Sequence, residues 1–349
     1  MVRDAIDLHA HWVPPLLVEA LRERKGLVPR IELLPEGKER LVMPIGILNF
    51  NEHYEDPLIR LELMSSLGVV KQMLSLPGLF GVDSLPLEQA IPLVRTFNDA
   101  CAELCRTYPK HFCGLASLPW ANIDAAVAEL RRARLELGLL GAILPVDAFR
   151  SEATAARLLP LFEIGEELGA HFFVHPGRTP DSGALPASPP DHDLARRALE
   201  VQHEVGQAMV TLLLSDFLSP WRNITVQVAN LGGTFPAVVE RMDHMLQLRD
   251  PSQDLPSSRT RGVWVDCSSL GSQAIQQAVA VFGADRVVLG TDCPIFDSDK
   301  TLTSILQSSL SETDRELIIH GNASTLLERV LQRSGEAETA PSRMRSSLG

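Results

Sequence analysis

The sequence predicts an α/β protein built as a (β/α)8 barrel, a TIM barrel, with a small hairpin inserted between the first and second strands. Three observations predict it. Short apolar runs that end in turn residues alternate with longer stretches of helical periodicity. Eight such runs can be counted, the number that closes a parallel barrel. Several of them end in polar residues suited to chemistry, at the strand ends where barrels carry their sites. An open doubly wound sheet is the competing architecture. No Gly-x-Gly-x-x-Gly follows an early strand, however, and no phosphate loop is present. With 349 residues and 45% apolar content the chain can bury one large core. We read residues 1–333 as that single domain and 334–349 as a disordered tail.

The first run (Ala5, Ile6, Leu8) closes in Asp7-Leu8-His9-Ala10-His11, with Trp12 and Pro14-Pro15 directly after. Residues two apart on a strand share a face, so His9 and His11 aim two imidazoles at one point. Residues 12–68 are long for one connection. They contain Ile31 to Leu34 and Arg40 to Pro44 around a Pro-Glu-Gly turn, read as a hairpin over one barrel end. A helix over residues 57–66 presents Leu58, Leu61 and Met64 on one face and stops at Gly68.

The second run covers 69–76 and ends at Pro77-Gly78. A helix through Phe97, Ala100, Leu104 and Cys105 leads to the third, 112–118. Cys101 and Cys105 stand four apart on that helix and suit small core positions better than a metal pair. An amphipathic helix over 125–137 leads to the fourth run, 139–146. Another, over 153–168, leads to the fifth, 170–177, which ends His175-Pro176-Gly177. Residues 178–200, rich in Pro, Asp, Ser and Ala, read as an irregular loop before a helix around 202–214. The sixth run (224–230) ends in Asn230 and Leu231-Gly232-Gly233, the seventh covers 262–267, and the eighth (287–292) ends in Asp292. A last helix spans 317–327.

Charge and cysteines narrow the partners. A net charge of −12 excludes nucleic acid and anionic membrane surfaces as expected partners. No apolar run reaches the roughly 18 residues of a membrane helix. The N-terminus runs straight into a strand, without the pattern of a signal peptide. Five cysteines without Cys-x-x-Cys spacing read as reduced thiols in a cytoplasmic protein.

The chemistry gathers at run ends: His9 and His11, His175, Asn230 and Asp292. Three imidazoles and a carboxylate at one barrel mouth can hold one divalent ion and leave a position open. Asp292 could then orient a water or relay its proton. Run four ends Leu144-Pro145-Val146, with no lysine or acid to bridge two metals, so a single ion is expected. Cys293 reads as a packing thiol, since no run-end base pairs with it.

These motifs resemble the amidohydrolase superfamily, most of all the branch of aminocarboxymuconate-semialdehyde, resorcylate and carboxyvanillate decarboxylases. The resemblance covers most of residues 4–327. It rests on DLHAH at 7–11, RLELMSSLGV at 60–69, GLASLPW at 114–120 and ELGLLGAIL at 136–144. FVHPG at 173–177, NLGGTFP at 230–236, LGTDCP at 289–294 and HGNA at 320–323 complete it. It implies a (β/α)8 barrel with His9, His11, His175 and Asp292 as metal ligands. Two departures stand out. Asn230 occupies the place of the family's usual acid/base histidine, and an amide cannot titrate. Asn51 falls where the muconate enzyme has a carboxylate-binding arginine. Arg241 does match a second such arginine, one that reaches in from a neighbouring subunit, which implies a homodimer.

The expected function is a metal-dependent, non-oxidative decarboxylase of a small unsaturated or aromatic carboxylic acid, carrying one ion, zinc by its donors. Asp292 is the expected proton carrier, and Asn230 the hydrogen-bonding partner of substrate. Arg241, Trp12, Asn51, Arg178 and Phe296 are candidate substrate contacts. The alternative on the same barrel is hydrolysis of an ester, lactone or amide, with Asn230 as oxyanion donor and Asp292 as base. A non-catalytic, ligand-binding barrel is a third reading, opposed by the complete ligand set.

Overall fold

Every residue of the first strand, β1 (Ala5–His11), is buried. That is the burial of a parallel strand covered on both faces, by the barrel interior and by a layer of helices. We examined the chain in a computed structural model, which describes residues 4–339 apart from 36, 183–188, 190 and 269, and backbone only for 334–339. The inserted segment supplies β2 (Arg30–Leu33), β3 (Glu39–Met43) and β4 (Gly46–Phe50). The barrel continues through β5 (Val69–Ser75), β6 (Phe112–Gly114), β7 (Gly141–Pro145) and β8 (His171–His175). It ends with β9 (Thr225–Val228), β10 (Trp264–Asp266) and β11 (Val287–Val288).

β1, β5 and β6 pair in parallel, as do β7 to β11 in sequence order. A bridge between Ala116 and Ala142 joins the two sets, and a second between Ala10 and Cys293 returns the last strand to the first. Backbone bonds from Leu8 N to Leu289 O (2.9 Å) and from Asp292 N to His9 O (2.8 Å) complete that seam. The eight runs of the sequence are the eight staves of a closed (β/α)8 barrel.

Ile6, Leu8, Met73, Ile143, Phe173 and Val288 fill the interior. Leu326, Leu327 and Val330 of the last helix pack onto the same cluster. In β1 the inward alternation Ile6, Leu8 would turn His9 and His11 outward. The pairing with β5 shifts register between Asp7 and Ala10. This bulge re-aims the strand, so that His9 lies against the inward Phe173 at 4.8 Å between ring centroids.

The insertion adds a third strand to the expected hairpin, β3 pairing antiparallel with both β2 and β4. β4 was illegible because it begins only two residues after Pro44, at Gly46, and leaves Ile47 60% exposed, which blurs the period-two pattern. The expected loop over 178–200 is corrected at its end. A helix begins at Asp193 and runs to Leu214. Its first two turns, residues 193–200, are wholly exposed and so carry no apolar stripe. The expected disordered tail is likewise shortened. The last helix, Asn322–Thr339, takes in residues 334–339, where Glu and Ala favour helix; residues 340–349 lie outside the described ones. Among the described residues no helix is long and apolar enough to cross a membrane.

Candidate metal centre at the barrel mouth

The strand ends bring His9, His11, His175 and Asp292 together, with one ligand atom from each inside a 4.8 Å circle. The three imidazoles stand edge to face, with ring centroids 4.8 to 5.0 Å apart. His9 Nε2 is 3.2 Å from His11 Nε2. Asp292 Oδ1 is 3.1 Å from His11 Nε2 and 3.6 Å from His9 Nε2. Two donors about 2.0–2.1 Å from one ion, at tetrahedral or octahedral angles, stand roughly 2.8–3.4 Å apart. The His9–His11 and His11–Asp292 pairs have that spacing, and His9–Asp292 is slightly wider.

The other ring nitrogens are already engaged. His9 Nδ1 meets Asp266 Oδ1 at 3.0 Å, His11 Nδ1 meets Ser75 Oγ at 3.1 Å, and His175 Nδ1 meets the Pro176 carbonyl at 2.8 Å. Such partners fix ring orientation and tautomer, leaving Nε2 as the ligating atom. Asp292 Oδ1, by contrast, is buried with no hydrogen-bond partner. An orphaned carboxylate oxygen facing free imidazole nitrogens is a set that a cation completes.

Protonation follows the same logic. Burial, reinforced by the neighbouring His9, drives the pKa values of His11 and His175 far down. Neutral imidazole is the ligating state. Burial alone would also lower His9, but the carboxylates of Asp266 and Asp292 lift it to about 9. Burial raises Asp292 above the usual carboxylate range, against the pull of His9 and His175. Burial opposes ionisation of Asp266 too. There the charge and hydrogen bond of His9, with bonds from Gln227 and the Ser268 amide, win and hold it low.

Asp266, at the exit of β10, is a residue the sequence reading missed. Gln227 Nε2 donates to its Oδ2 at 2.9 Å, and the Ser268 amide to its Oδ1 at 3.2 Å. Arg60 was missed as well. Only 2% exposed, it donates to the carbonyls of His11 (2.7 Å) and His53 (3.0 Å), and to those atoms of Cys293 that face it. It ties the exit of β1 to that of β11. Its signal was its place in the RLELM motif, whereas Asp266 stands inside a run that ends in Cys267.

Backbone geometry concentrates here. Asn230 (φ 56°), Leu231 (54°) and Asp292 (59°) are non-glycine residues in the left-handed region, a strain that persists where surroundings over-determine it. Gly290 is required by space, since a Cβ there would lie 2.7 Å from His9 Cβ and 2.8 Å from Asp266 Cβ.

Asn230 is buried beside the quartet, its amide N–H 3.4 Å from Asp266 Oδ1. Ser268 Oγ donates to Asn230 Oδ1 at 2.6 Å, so the side-chain NH2 is the end left for a ligand. The other candidates lie apart from this cluster. Trp12 is buried in the core with its Nε1 donating to Glu55 O at 2.8 Å. Asn51 caps the helix Glu52–Glu55 by accepting from the His53 amide. Arg178 pairs with Glu204 at 3.3 Å. Phe296 is 51% exposed, and its backbone amide donates to Asp292 O at 3.2 Å. Arg241 is exposed on the helix Phe235–Arg249. Cys293 is buried, and Cys101 and Cys105 pack under β6 against Gly114.

Comparison with known proteins finds likeness along most of the chain. The family model described as amidohydrolase matches residues 6–329. The 2-amino-3-carboxymuconate-6-semialdehyde decarboxylase of Dictyostelium discoideum is 28% identical over 91% of this chain and 90% of its own. The gamma-resorcylate decarboxylase of Rhodococcus jostii is 28% identical over 93% and 98%. The crystal structure of a dihydroxybenzoic acid decarboxylase from Polaromonas, with bound manganese and 2-nitroresorcinol, superposes with a TM-score of 0.69 at 22% identity. It covers 94% of this chain and 97% of that one.

Proposed function

The chain belongs to the amidohydrolase family, and from that premise we propose that it is a metal-dependent, non-oxidative decarboxylase of a small aromatic or unsaturated carboxylic acid. One observation carries the reading: a buried His3Asp set whose carboxylate oxygen lacks any partner. Pro145 at the exit of β7 offers no bridging ligand, which supports a single ion. The relatives' names, all decarboxylases of carboxylic acids, support the reaction class.

His9, His11, His175 and Asp292 would hold the ion, which supplies Lewis-acid polarisation of the substrate's oxygen atoms. Three nitrogens and one carboxylate suit zinc, and manganese is the competing occupant. The remaining work falls to the chain. Decarboxylation breaks the bond from ring or chain carbon to the carboxylate carbon. Carbon dioxide leaves, the electron pair stays on carbon, and a proton must replace it. Asp292 is the carboxyl group placed to deliver that proton. Asn230, locked by Ser268, offers its NH2 to a substrate oxygen and holds the acid in register. Phe296 and Arg178 form the rim in this reading. Arg241 serves the site of a second copy in a homodimer, which light scattering at micromolar concentration tests: a fully active monomer removes that role.

The function itself is tested by offering the metal-loaded protein a panel of hydroxybenzoic and unsaturated carboxylic acids beside matched esters and lactones. Carbon dioxide release from an acid is expected. Acid formation from an ester or lactone, with no carbon dioxide from any acid, would overturn the reading in favour of hydrolysis.

A further inference from the structure

The opposite end of the barrel holds a second feature that the proposed reaction does not use. A cavity of about 220 Å³ opens where β9, β10 and β11 begin, lined by Trp221, Arg222, Arg261, Trp264, Arg286 and Arg329. Four guanidinium groups around one small cavity go against a chain whose net charge is −12. Arg261 is already spoken for, bonding to the Phe282 carbonyl (3.2 Å) and to Asp285. Glu166, near the rim, accepts the backbone amides of Arg222 (3.0 Å) and Asn223 (2.7 Å).

Among the described residues no carboxylate lies within ion-pair distance of the guanidinium groups of Arg222, Arg286 or Arg329. Arg286 lies over the Trp264 ring, 4.9 Å from its centroid. That contact satisfies the face of the guanidinium and none of its N–H groups. Arg286 Nε and Trp221 Nε1 are both shut off from water without a hydrogen-bond partner. Both atoms belong to residues that line the cavity. Burial presses the pKa of Arg286 downward, partly opposed by the carboxylate of Asp285 and reinforced by the like charges of Arg261 and Arg329, and an anion would relieve that pressure.

We propose that this cavity is a phosphate-binding site, for inorganic phosphate or the phosphate group of a small metabolite. A carboxylate is planar and is satisfied by one guanidinium fork. Here the donors come from a turn before β9 (Trp221, Arg222), from the approach to β11 (Arg286) and from the last helix (Arg329). Donors from three separate elements suit a tetrahedral oxyanion, with acceptors in more than one plane. The two indole rings form the wall for whatever carries the phosphate. The site is remote from the metal ligands, which stand at the other ends of the same strands, so phosphate here does not compete with a carboxylic acid there.

Calorimetric titration of the metal-loaded protein with inorganic phosphate, against chloride at equal ionic strength, tests this. A matched titration with glucose 6-phosphate separates free phosphate from phosphate on a sugar body. Binding is expected in the wild type and in His175→Ala, where the metal centre is damaged. Arg286→Gln should weaken it at least tenfold. Arg329→Gln, a change at an exposed side chain, should weaken it several-fold even if Arg286→Gln fails to fold. Three results would each overturn the proposal. One is a response no greater than that to chloride, and the second is binding lost in His175→Ala yet kept in Arg329→Gln. The third is a chain that buries this face against a second copy in sedimentation whether or not phosphate is present.

Discussion

At the exits of the barrel strands, three imidazoles face a carboxylate, and each ring's far nitrogen is already held by Asp266, Ser75 or the Pro176 carbonyl. At the entries of the barrel strands, three guanidinium groups line a cavity with no carboxylate at ion-pair distance from them among the described residues, two of them on exposed side chains. One end is preorganised by partners built into the chain. The other depends on what it binds. The difference teaches that charge of either sign can be gathered by one scaffold, but that geometry is fixed only where a second layer of residues holds the first.

The sharpest way to break this contrast is Asp292→Ala. The orphaned oxygen and the proton carrier disappear together, so turnover should fall by roughly 10³-fold or more and the ion should be lost. Elemental analysis beside turnover checks it; an ion retained at full occupancy would remove Asp292 from the ligand set. Asp266→Asn leaves every ligand in place and removes only the charge behind His9. A loss of about 10–100-fold in metal affinity or activity is expected, the size of effect such supporting groups carry. If metal titration finds no change, the mouth is less preorganised than its hydrogen bonds imply.

Ser268→Ala is gentler. It frees the Asn230 amide to rotate, at a cost of one hydrogen bond of about 0.5–1.5 kcal/mol. We expect kcat to drop roughly two- to tenfold with metal content unchanged, whereas a purely structural role would lower the melting midpoint and spare kcat.

The smallest effect concerns Asp83, which accepts from Trp120 Nε1 at 3.1 Å through Oδ2 while its Oδ1 has no partner. Burial pushes its pKa from 3.8 to about 8. The folded pKa lies above the unfolded one, so its contribution to stability is complete below pH 4 and is lost as pH rises through 8. Asp83→Asn, which keeps the neutral state at every pH, should flatten that decline and raise the melting midpoint by a few degrees at pH 8–9. Parallel thermal curves from pH 4 to pH 9 would refute the shift.

The barrel and its ligand quartet were legible because both depend on local pattern. Apolar runs mark buried parallel strands, and each of His9, His11, His175 and Asp292 closes one. Asp266 was not legible, since the run over 262–267 passes through it and ends in Cys267, hiding the acid inside an apolar stretch. The bulge in β1 was hidden for another reason. A change of side-chain face leaves no mark in residue types, only in the pairing with β5. Arg60 and the arginine cavity were missed because their meaning lies in neighbours far away in sequence.

The seam between β11 and β1 has a consequence for how the protein comes into being. Thr291 donates to Asp7 across 284 positions of sequence, and Asp292 joins His9 and His11 over nearly the same span. During synthesis the three histidines emerge long before the strand that completes them. The complete ligand set therefore exists only once the final stave is in place, and a chain interrupted before residue 287 would carry three imidazoles and no closing carboxylate. Closing so distant a contact is slow.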